Sequence, residues 1–391
     1  MKPKPGLPAP DPAGAAHSER VAGHIGRLID EAGGDIPFAA FMQEALYAPG
    51  LGYYVAGAPK FGASGDFVTA PEISALFGYV LARQIAGALG ETGGDLLEFG
   101  AGTGALAVAL LERLGELDAL PRRYLILEVS AELRECQERR LAAELPDLMD
   151  RIEWLDGMPA SFSGVVIANE VLDAMPVERF RMEGNSVLEA RVSRDDNGFC
   201  FRYAPAPRQL EGAVRRIEEY TGSALPHGYQ SEWSPGIANW IRDVAAALHA
   251  GTILLIDYGV SRREYYAPDR DSGWLRCHFR HHVHDDPLIL AGMQDITAWI
   301  DFTAVAESAV AAGLDVCGYA TQGHFLLHGG LHLELEEFAL MTQREQAELS
   351  GQVKLLTLPA EMGENFKIIA LSKGSVKPPP AFAECDSRHR L

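Results

Sequence analysis

The sequence predicts an α/β fold: a mostly parallel sheet covered by helices, with a β-hairpin inserted into it and a helical segment ahead of it. Three observations carry this. From Asp95 onward, short apolar runs alternate with amphipathic stretches, the pattern of buried parallel strands joined by covering helices. One run, "LLEFGAGTGALAVALLERLG" (Leu96–Gly115), passes through three alternating glycines, so a strand turns sharply into a helix. Between Val177 and Pro205 the period drops to two around Gly-Asn and Asn-Gly pairs, the signature of antiparallel hairpin strands.

In chain order, residues 1–16 are rich in Pro, Ala and Gly and are expected to form a flexible tail. They lack the apolar centre of a signal peptide and the repeated arginines of a transit peptide. His17–Leu46 reads as one or two helices interrupted around "GGDIP". The loop Tyr47–Ser74, dense in Gly, Pro and aromatics, follows, and then a helix in "ISALFGYVLARQIAGALG"; together these form an N-terminal cover over residues 17–94. The sheet domain spans 95–374. Its strands lie in "LLEFG", "RYLILEVS", "RIEWLD", "GVVIANE", "GTILLIDYG", "LDVCGYATQGHFLL" and "ENFKIIALSK", with the hairpin inserted at about 178–205. Residues 375–391 are expected to be a loose tail.

Composition bounds the function. The chain has 391 residues, 47% hydrophobic and 23% charged, an ordinary globular balance with ample core. Its 34 basic and 54 acidic residues give a net charge of −20. That argues against a nucleic-acid partner, because phosphate contacts need a positive face, and it suits a cationic one. The cysteines at 136, 200, 277, 317 and 385 are scattered and odd in number, as in a reduced, cytoplasmic protein. No apolar run approaches the ~18 residues of a membrane span, so no membrane partner is expected. The oligomeric state is left open.

The glycine turn admits two cofactors. Gly100-x-Gly102-x-x-Ala105 satisfies the dinucleotide fingerprint, whereas an acidic residue two before Gly100-x-Gly102-x-Gly104 also resembles the first motif of class I S-adenosyl-L-methionine methyltransferases. A carboxylate at that strand end repels a pyrophosphate and attracts an ammonium, so Glu98 favours the methionine-bearing cofactor. Gly100, Ala101, Gly102 and Gly104 then approach it through the backbone. Glu128 ends the next strand, where a carboxylate accepts both ribose hydroxyls of either cofactor. Asp156 ends the third, where methyltransferases of the class that this turn resembles often place an acidic or amide residue against the adenine amino group.

Several stretches follow one another in a fixed order: "LYAPGLGYY", "FGASGDFVTAPEIS", "LLEFGAGTGALA", "LEVS", "ANEVLDAMPV", "LLIDYG", "LRCHFRHHVHDDPL", "DITAWIDF" and "MGENFKIIAL". Together they resemble the MidA-like family of class I methyltransferases, over roughly Phe38 to Leu371. The resemblance implies a Rossmann-like, seven-stranded class I methyltransferase fold using S-adenosyl-L-methionine. It also implies an arginine side chain on a protein as the acceptor, of the respiratory complex I subunit type. A small-molecule or RNA methyltransferase, or a cofactor-binding assembly factor with little turnover, are the alternatives.

The resemblance brings "GDFVTAPE" to the cofactor, and with it Asp66, Thr69, Pro71 and Glu72. Thr69 ahead of Pro71 and Glu72 also reads as a helix N-cap, and both readings can hold. Asn169, Glu170 and Asp173 follow the fourth strand, where class I enzymes present the acceptor. Asn169 is assigned to the cofactor, and Glu170 and Asp173 to catalysis, as carboxylates that pair with a guanidinium. If Glu170 begins a helical turn, both acids face one side. Asp257 and Tyr258 in "IDYG" either line the acceptor pocket or, for Asp257, cap the next turn. His281 lies in "CHFRHHVHDD", expected to be a polar loop at that pocket; contiguous ligands do not have zinc spacing, so no metal is expected. Position 171 is Val where relatives often carry an aromatic.

Overall fold

The computed structural model describes residues 6–56 and 69–391. The chain begins with α1 (Pro12–Glu31), β1 (Asp35–Pro37), α2 (Phe38–Tyr47), α3 (Ala70–Ile73) and α4 (Ala75–Thr92). It continues through β2 (Asp95–Phe99), α5 (Ala105–Glu116), β3 (Tyr124–Leu127), α6 (Ala131–Glu144), β4 (Ile152–Leu155) and β5 (Phe162–Asn169). Next come β6 (Glu178–Glu183), β7 (Ser186–Asp195), β8 (Gly198–Pro205), α7 (Arg208–Thr221), β9 (Gln230–Trp233), α8 (Pro235–Ala247) and β10 (Leu248–Val260). Then follow α9 (Arg262–Tyr265), β11 (Leu275–Phe279), β12 (His282–His284), β13 (Asp295–Ala298), β14 (Ile300–Asp301) and α10 (Phe302–Ala311). The last elements are β15 (Asp315–Thr321), α11 (Gln322–His328), α12 (Gln343–Thr357), α13 (Met362–Asn365), β16 (Phe366–Lys373) and α14 (Phe382–Cys385).

These elements divide between two compact units. One comprises Met1–Phe67, Asp173–Ile237 and Ser261–Asp301, the other Val68–Leu172, Ala238–Val260 and Phe302–Leu391. The second holds the α/β sheet, with strands ordered β15-β16-β10-β5-β2-β3-β4. From β10 to β4 every pairing is parallel, while β16 runs antiparallel to both neighbours. All five residues of β2 are buried between the covering helices, two of them, Asp95 and Glu98, being acids. Leu96, Leu110, Val165, Ile167, Leu254 and Ile368 belong to that core. Helices α4 and α5 approach closely where Gly78 leaves room: a Cβ there would stand 2.5 Å from the Cβ of Ala109.

The first unit is antiparallel. Its larger sheet orders β1-β7-β6-β9 with β8 on β7, and a smaller one orders β12-β11-β13. The expected hairpins at 178–205 are β6, β7 and β8. Strand β7 also pairs with β1, Asp35 opposite Ser193 and Ile36 opposite Val192. Ile25, Phe38, Phe41, Met42, Val192, Cys277 and Ile296 share one core. The N-terminal helices and the insertion are therefore parts of one folding unit.

Both expected tails are corrected in part. Helix α1 starts at Pro12, inside the stretch expected to be loose: Asp11 caps it by accepting the Gly14 N–H at 2.8 Å, and proline suits the first turn. At the other end, Phe382 and Cys385 are buried. The Phe382 ring occupies the space that a Cβ on Gly318 would need, and it meets Phe325 at a centroid distance of 5.1 Å. Ala381 N–H donates to Gln84 at 2.7 Å, and Tyr319 N–H to Asp386 at 3.1 Å. An isolated aromatic in a Pro-rich stretch has no periodicity, so only its pocket reveals it. Phe382→Ala is expected to destabilise the protein by about 3–5 kcal/mol, read by urea unfolding. A loss within error of zero would show the C-terminal residues to be dispensable.

Candidate functional site

Strand order in the second unit reverses beside β2, with β3 and β4 on one side and β5 and β10 on the other. Crossovers then leave β2 and β5 in opposite directions, and a crevice opens at their carboxyl ends. Residues 100–104 leave β2 at that point, and Asn169 ends β5. Gly100, Gly102 and Gly104 have φ of 61°, 55° and 87°, a left-handed region that costs little only for glycine. Gly100 N–H donates to Leu127 O at 3.0 Å, and Gly104 N–H to Ala101 O at 2.8 Å. Ala101 is buried, and a Val171 methyl lies 3.4 Å from where a Cβ on Gly100 would stand.

Glu98 is buried one residue before the end of β2, and the Tyr124 hydroxyl donates to it at 2.7 Å. Burial pushes its carboxyl from 4.5 up to about 7; the Tyr124 bond opposes this and the Glu128 charge adds to it. A cation placed against such an acid restores its ionised form. Glu128 follows β3 directly. One of its oxygens accepts Ser130 N–H at 3.0 Å and the other the Gln137 amide at 3.0 Å.

Asn169 donates from Nδ2 to Glu170 Oε1 at 3.1 Å, while its Oδ1 is buried and accepts no hydrogen bond among the described residues. A buried acceptor left open costs roughly 1–3 kcal/mol, which a donor on a bound ligand would recover. Glu170 N–H donates to Ile256 O at 2.9 Å, and Glu170 itself has φ of 54°. A left-handed residue that is not glycine is strained, and such strain gathers at functional sites.

Other expected residues are placed differently. Thr69 stands at the N-cap of α3, but its side chain makes no capping bond, so the capping reading fails for its hydroxyl. Pro71 lies in the first turn of α3. Glu72 accepts from the Thr103 hydroxyl, and Arg140 donates to Thr103 at 2.8 Å and stands 3.6 Å from Glu72. Its carboxylate is thereby tied to the glycine turn. Asp66 lies outside the described residues. The Asp156 side chain is 94% exposed and pairs with Arg134 at 2.9 Å, a surface ion pair rather than an enclosed adenine contact.

Asp257 is fully buried, with one oxygen accepting Leu172 N–H at 3.0 Å and the other Tyr258 N–H at 2.9 Å. That corrects the acceptor-pocket reading: it positions the chain after β5. Tyr258 is half-buried, edge-to-face with Phe366 at 4.8 Å.

The conditional pairing of Glu170 with Asp173 is not met. Glu170 is left-handed and no helix starts there. Asp173 is buried in the first unit near Tyr54, whose hydroxyl donates to Asp295 at 2.9 Å. Burial first, then Asp295, Tyr47 and Asp173, push the Tyr54 hydroxyl well up. Three of the quoted stretches, "LYAPGLGYY", "ANEVLDAMPV" and "DITAWIDF", thus supply that one buried cluster. His281 is exposed in the two-residue turn between β11 and β12; both Arg280 and His281 have positive φ, as such hairpin turns require. No group of three or more His, Cys, Asp or Glu side chains that could hold a metal occurs among the described residues.

Residues 80–320 match the family described as S-adenosyl-L-methionine-dependent methyltransferase, more than half of the chain. The chain belongs to this family. A crystal structure of a Burkholderia thailandensis methyl transferase-type protein bound to S-adenosyl-homocysteine is 41% identical, with a TM-score of 0.92 over 99% of this chain and 100% of that one. The Drosophila melanogaster "Protein arginine methyltransferase NDUFAF7 homolog, mitochondrial" is 29% identical, covering 95% of this chain and 90% of its own length. The Mus musculus "Protein arginine methyltransferase NDUFAF7, mitochondrial" is 28% identical, covering 86% and 81%. The family is the MidA-like one, the fold is that of class I methyltransferases, and the cofactor is S-adenosyl-L-methionine.

The methyltransferase reading gives Glu98 a measurable consequence. Folded, the acid keeps its proton up to about pH 7, whereas unfolded it releases it near 4.5, so its contribution to stability is full below 4.5 and lost as pH rises towards 7. Glu98→Gln is therefore expected to stabilise the ligand-free protein by roughly 1–3 kcal/mol above neutral pH. It should also weaken S-adenosyl-homocysteine binding and abolish the parent's loss of affinity below about pH 7. Calorimetry showing the same pH slope in both proteins would separate Glu98 from the cofactor's ammonium.

Proposed function

We propose that this methyltransferase transfers a methyl group from S-adenosyl-L-methionine to an arginine side chain of a protein, of the respiratory complex I subunit type. Cytoplasmic action belongs to the same proposal. The observation that carries it is Glu170: a strained carboxylate-bearing residue directly after β5, at the carboxyl edge of the sheet, with its Oε1 fixed by Asn169. A carboxylate there suits a planar cation, and relatives at 28–29% identity are named protein arginine methyltransferases. The charge of −20 further disfavours an RNA acceptor.

In this reading Gly100, Ala101, Gly102 and Gly104 approach the cofactor through the backbone, Glu98 meets its ammonium, and Glu128 accepts its ribose hydroxyls. Asn169 Oδ1 takes a donor from it. The bound cofactor supplies a methyl group on positively charged sulfur, open to in-line displacement. Glu170 pairs with two guanidinium nitrogens, holding positive charge on them and leaving lone-pair density on the third. The proton that N-methylation releases leaves from a nitrogen paired with this carboxylate, so the product is again a singly charged guanidinium. Holding acceptor and methyl in line supplies most of the rate.

The purified protein and labelled cofactor, added to lysate from cells lacking this protein, should place label in protein arginines, located by mass spectrometry. Label in small molecules alone, or binding with no transfer, would overturn the protein-arginine reading in favour of a metabolite acceptor or an assembly role. Glu170→Gln should keep S-adenosyl-homocysteine affinity while cutting transfer by roughly a hundredfold or more. Transfer at the parent rate would remove Glu170 from the acceptor site.

A further inference from the structure

Gln137 belongs to no motif, yet it is fully buried on α6 and every polar atom of its amide is engaged. Nε2 donates to Gly102 O at 2.9 Å and to Glu128 Oε2 at 3.0 Å, and Oε1 accepts from the Trp154 indole at 2.9 Å. The orientation of the amide is not arbitrary. An indole N–H only donates, so the atom facing it must be the oxygen, and the nitrogen must face the carbonyl and the carboxylate. Gly104 faces Gln137, and a Cβ there would meet Gln137 Cα at 3.5 Å, an ordinary contact, so it is the φ of 87° and not space that calls for glycine.

We infer that Gln137 is a positioning residue that couples the glycine turn to the ribose carboxylate. This rests on the reading above that Glu128 accepts the ribose hydroxyls. One amide nitrogen holds two groups that approach different parts of the cofactor. Its bond to Oε2 fixes the rotation of the Glu128 carboxylate, with Ser130 N–H fixing the other oxygen. Its bond to Gly102 O fixes the plane of the following peptide. Because that peptide is planar and trans, the Thr103 N–H points opposite to the carbonyl, away from Gln137. Trp154, on β4, fixes the amide in turn, so three consecutive parallel strands and the helix between two of them set the geometry of a single carboxylate.

Gln137→Met keeps the length and shape of the side chain and removes the amide. The test compares S-adenosyl-homocysteine with its 2′-deoxyribosyl analogue by calorimetry on the intact protein. The parent should prefer the ribosyl ligand by about tenfold or more, the scale of a charge-assisted hydrogen bond, and Gln137→Met should lose most of that preference as well as affinity. A merely structural role would weaken both ligands equally and leave the preference unchanged, which would overturn the inference. A parent with no preference would instead overturn the ribose role of Glu128, and the inference with it. Should Gln137→Met fail to fold, Trp154→Phe frees the amide oxygen while keeping Gln137, and it should reduce the preference in the same direction; an undiminished preference there would overturn the inference equally.

Discussion

Three left-handed residues in five, Gly100, Gly102 and Gly104, let β2 pass into α5 with no side chain on the inner side of the turn. Any residue with a Cβ would strain that path. The turn stands where strand order reverses, so the same few residues satisfy a conformational demand and border the crevice that topology opens. Side chains from α3, α6 and β4 are arranged around this turn: Glu72 and Arg140 meet at Thr103, and Trp154 reaches it through Gln137. Its backbone is thereby fixed before any ligand arrives, which lowers the ordering cost of binding.

Buried polar groups near the turn divide into satisfied and unsatisfied ones, and the division is informative. Gln137 and Asp257 have their capacity taken up by neighbours and act as clamps. Among the described residues, Asn169 Oδ1 lacks a hydrogen bond and Glu98 is held by one hydroxyl, in a setting that disfavours its charge. Such groups reduce the stability of the free protein and offer matching contacts to a ligand, the usual trade between stability and function. A cationic ammonium beside Glu98 and a donor beside Asn169 answer both costs.

The other unit shows the same economy of means in a different chemistry. Its core draws Phe38 and Phe41 from the N-terminal helices, Val192 from the long hairpin and Cys277 and Ile296 from the later sheet. Strand β7 can be central because β8 runs along one edge of it and β6 and then β1 along the other. Neither the helical segment nor the hairpin would bury its apolar face alone, since a lone hairpin is marginal in water. The Tyr47, Tyr54, Asp173 and Asp295 cluster inherits its composition from that assembly.

Much of this protein is written locally. Periodicity marked the parallel strands and their helices, because burial on both faces forces apolar runs, and the glycine turn with Glu98 and Glu128 stood at strand ends that any reader of the pattern finds. Asp11 and Pro12 also carried a helix start in plain sight, which the Pro/Ala-rich surroundings obscured. What tertiary structure alone decided is how side chains distant in sequence divide the work. Asp257 became a buried clamp because Leu172 N–H needed an acceptor, and Asp156 turned to solvent because Arg134 stood beside it. Glu170 begins no helical turn, because the backbone there is left-handed. Gln137 reads as one more polar residue in a polar helix until α6 is laid against Gly104. Hydrogen-bond partners are set by which surfaces meet, and a linear pattern records each residue's own preference but not its neighbour across the fold.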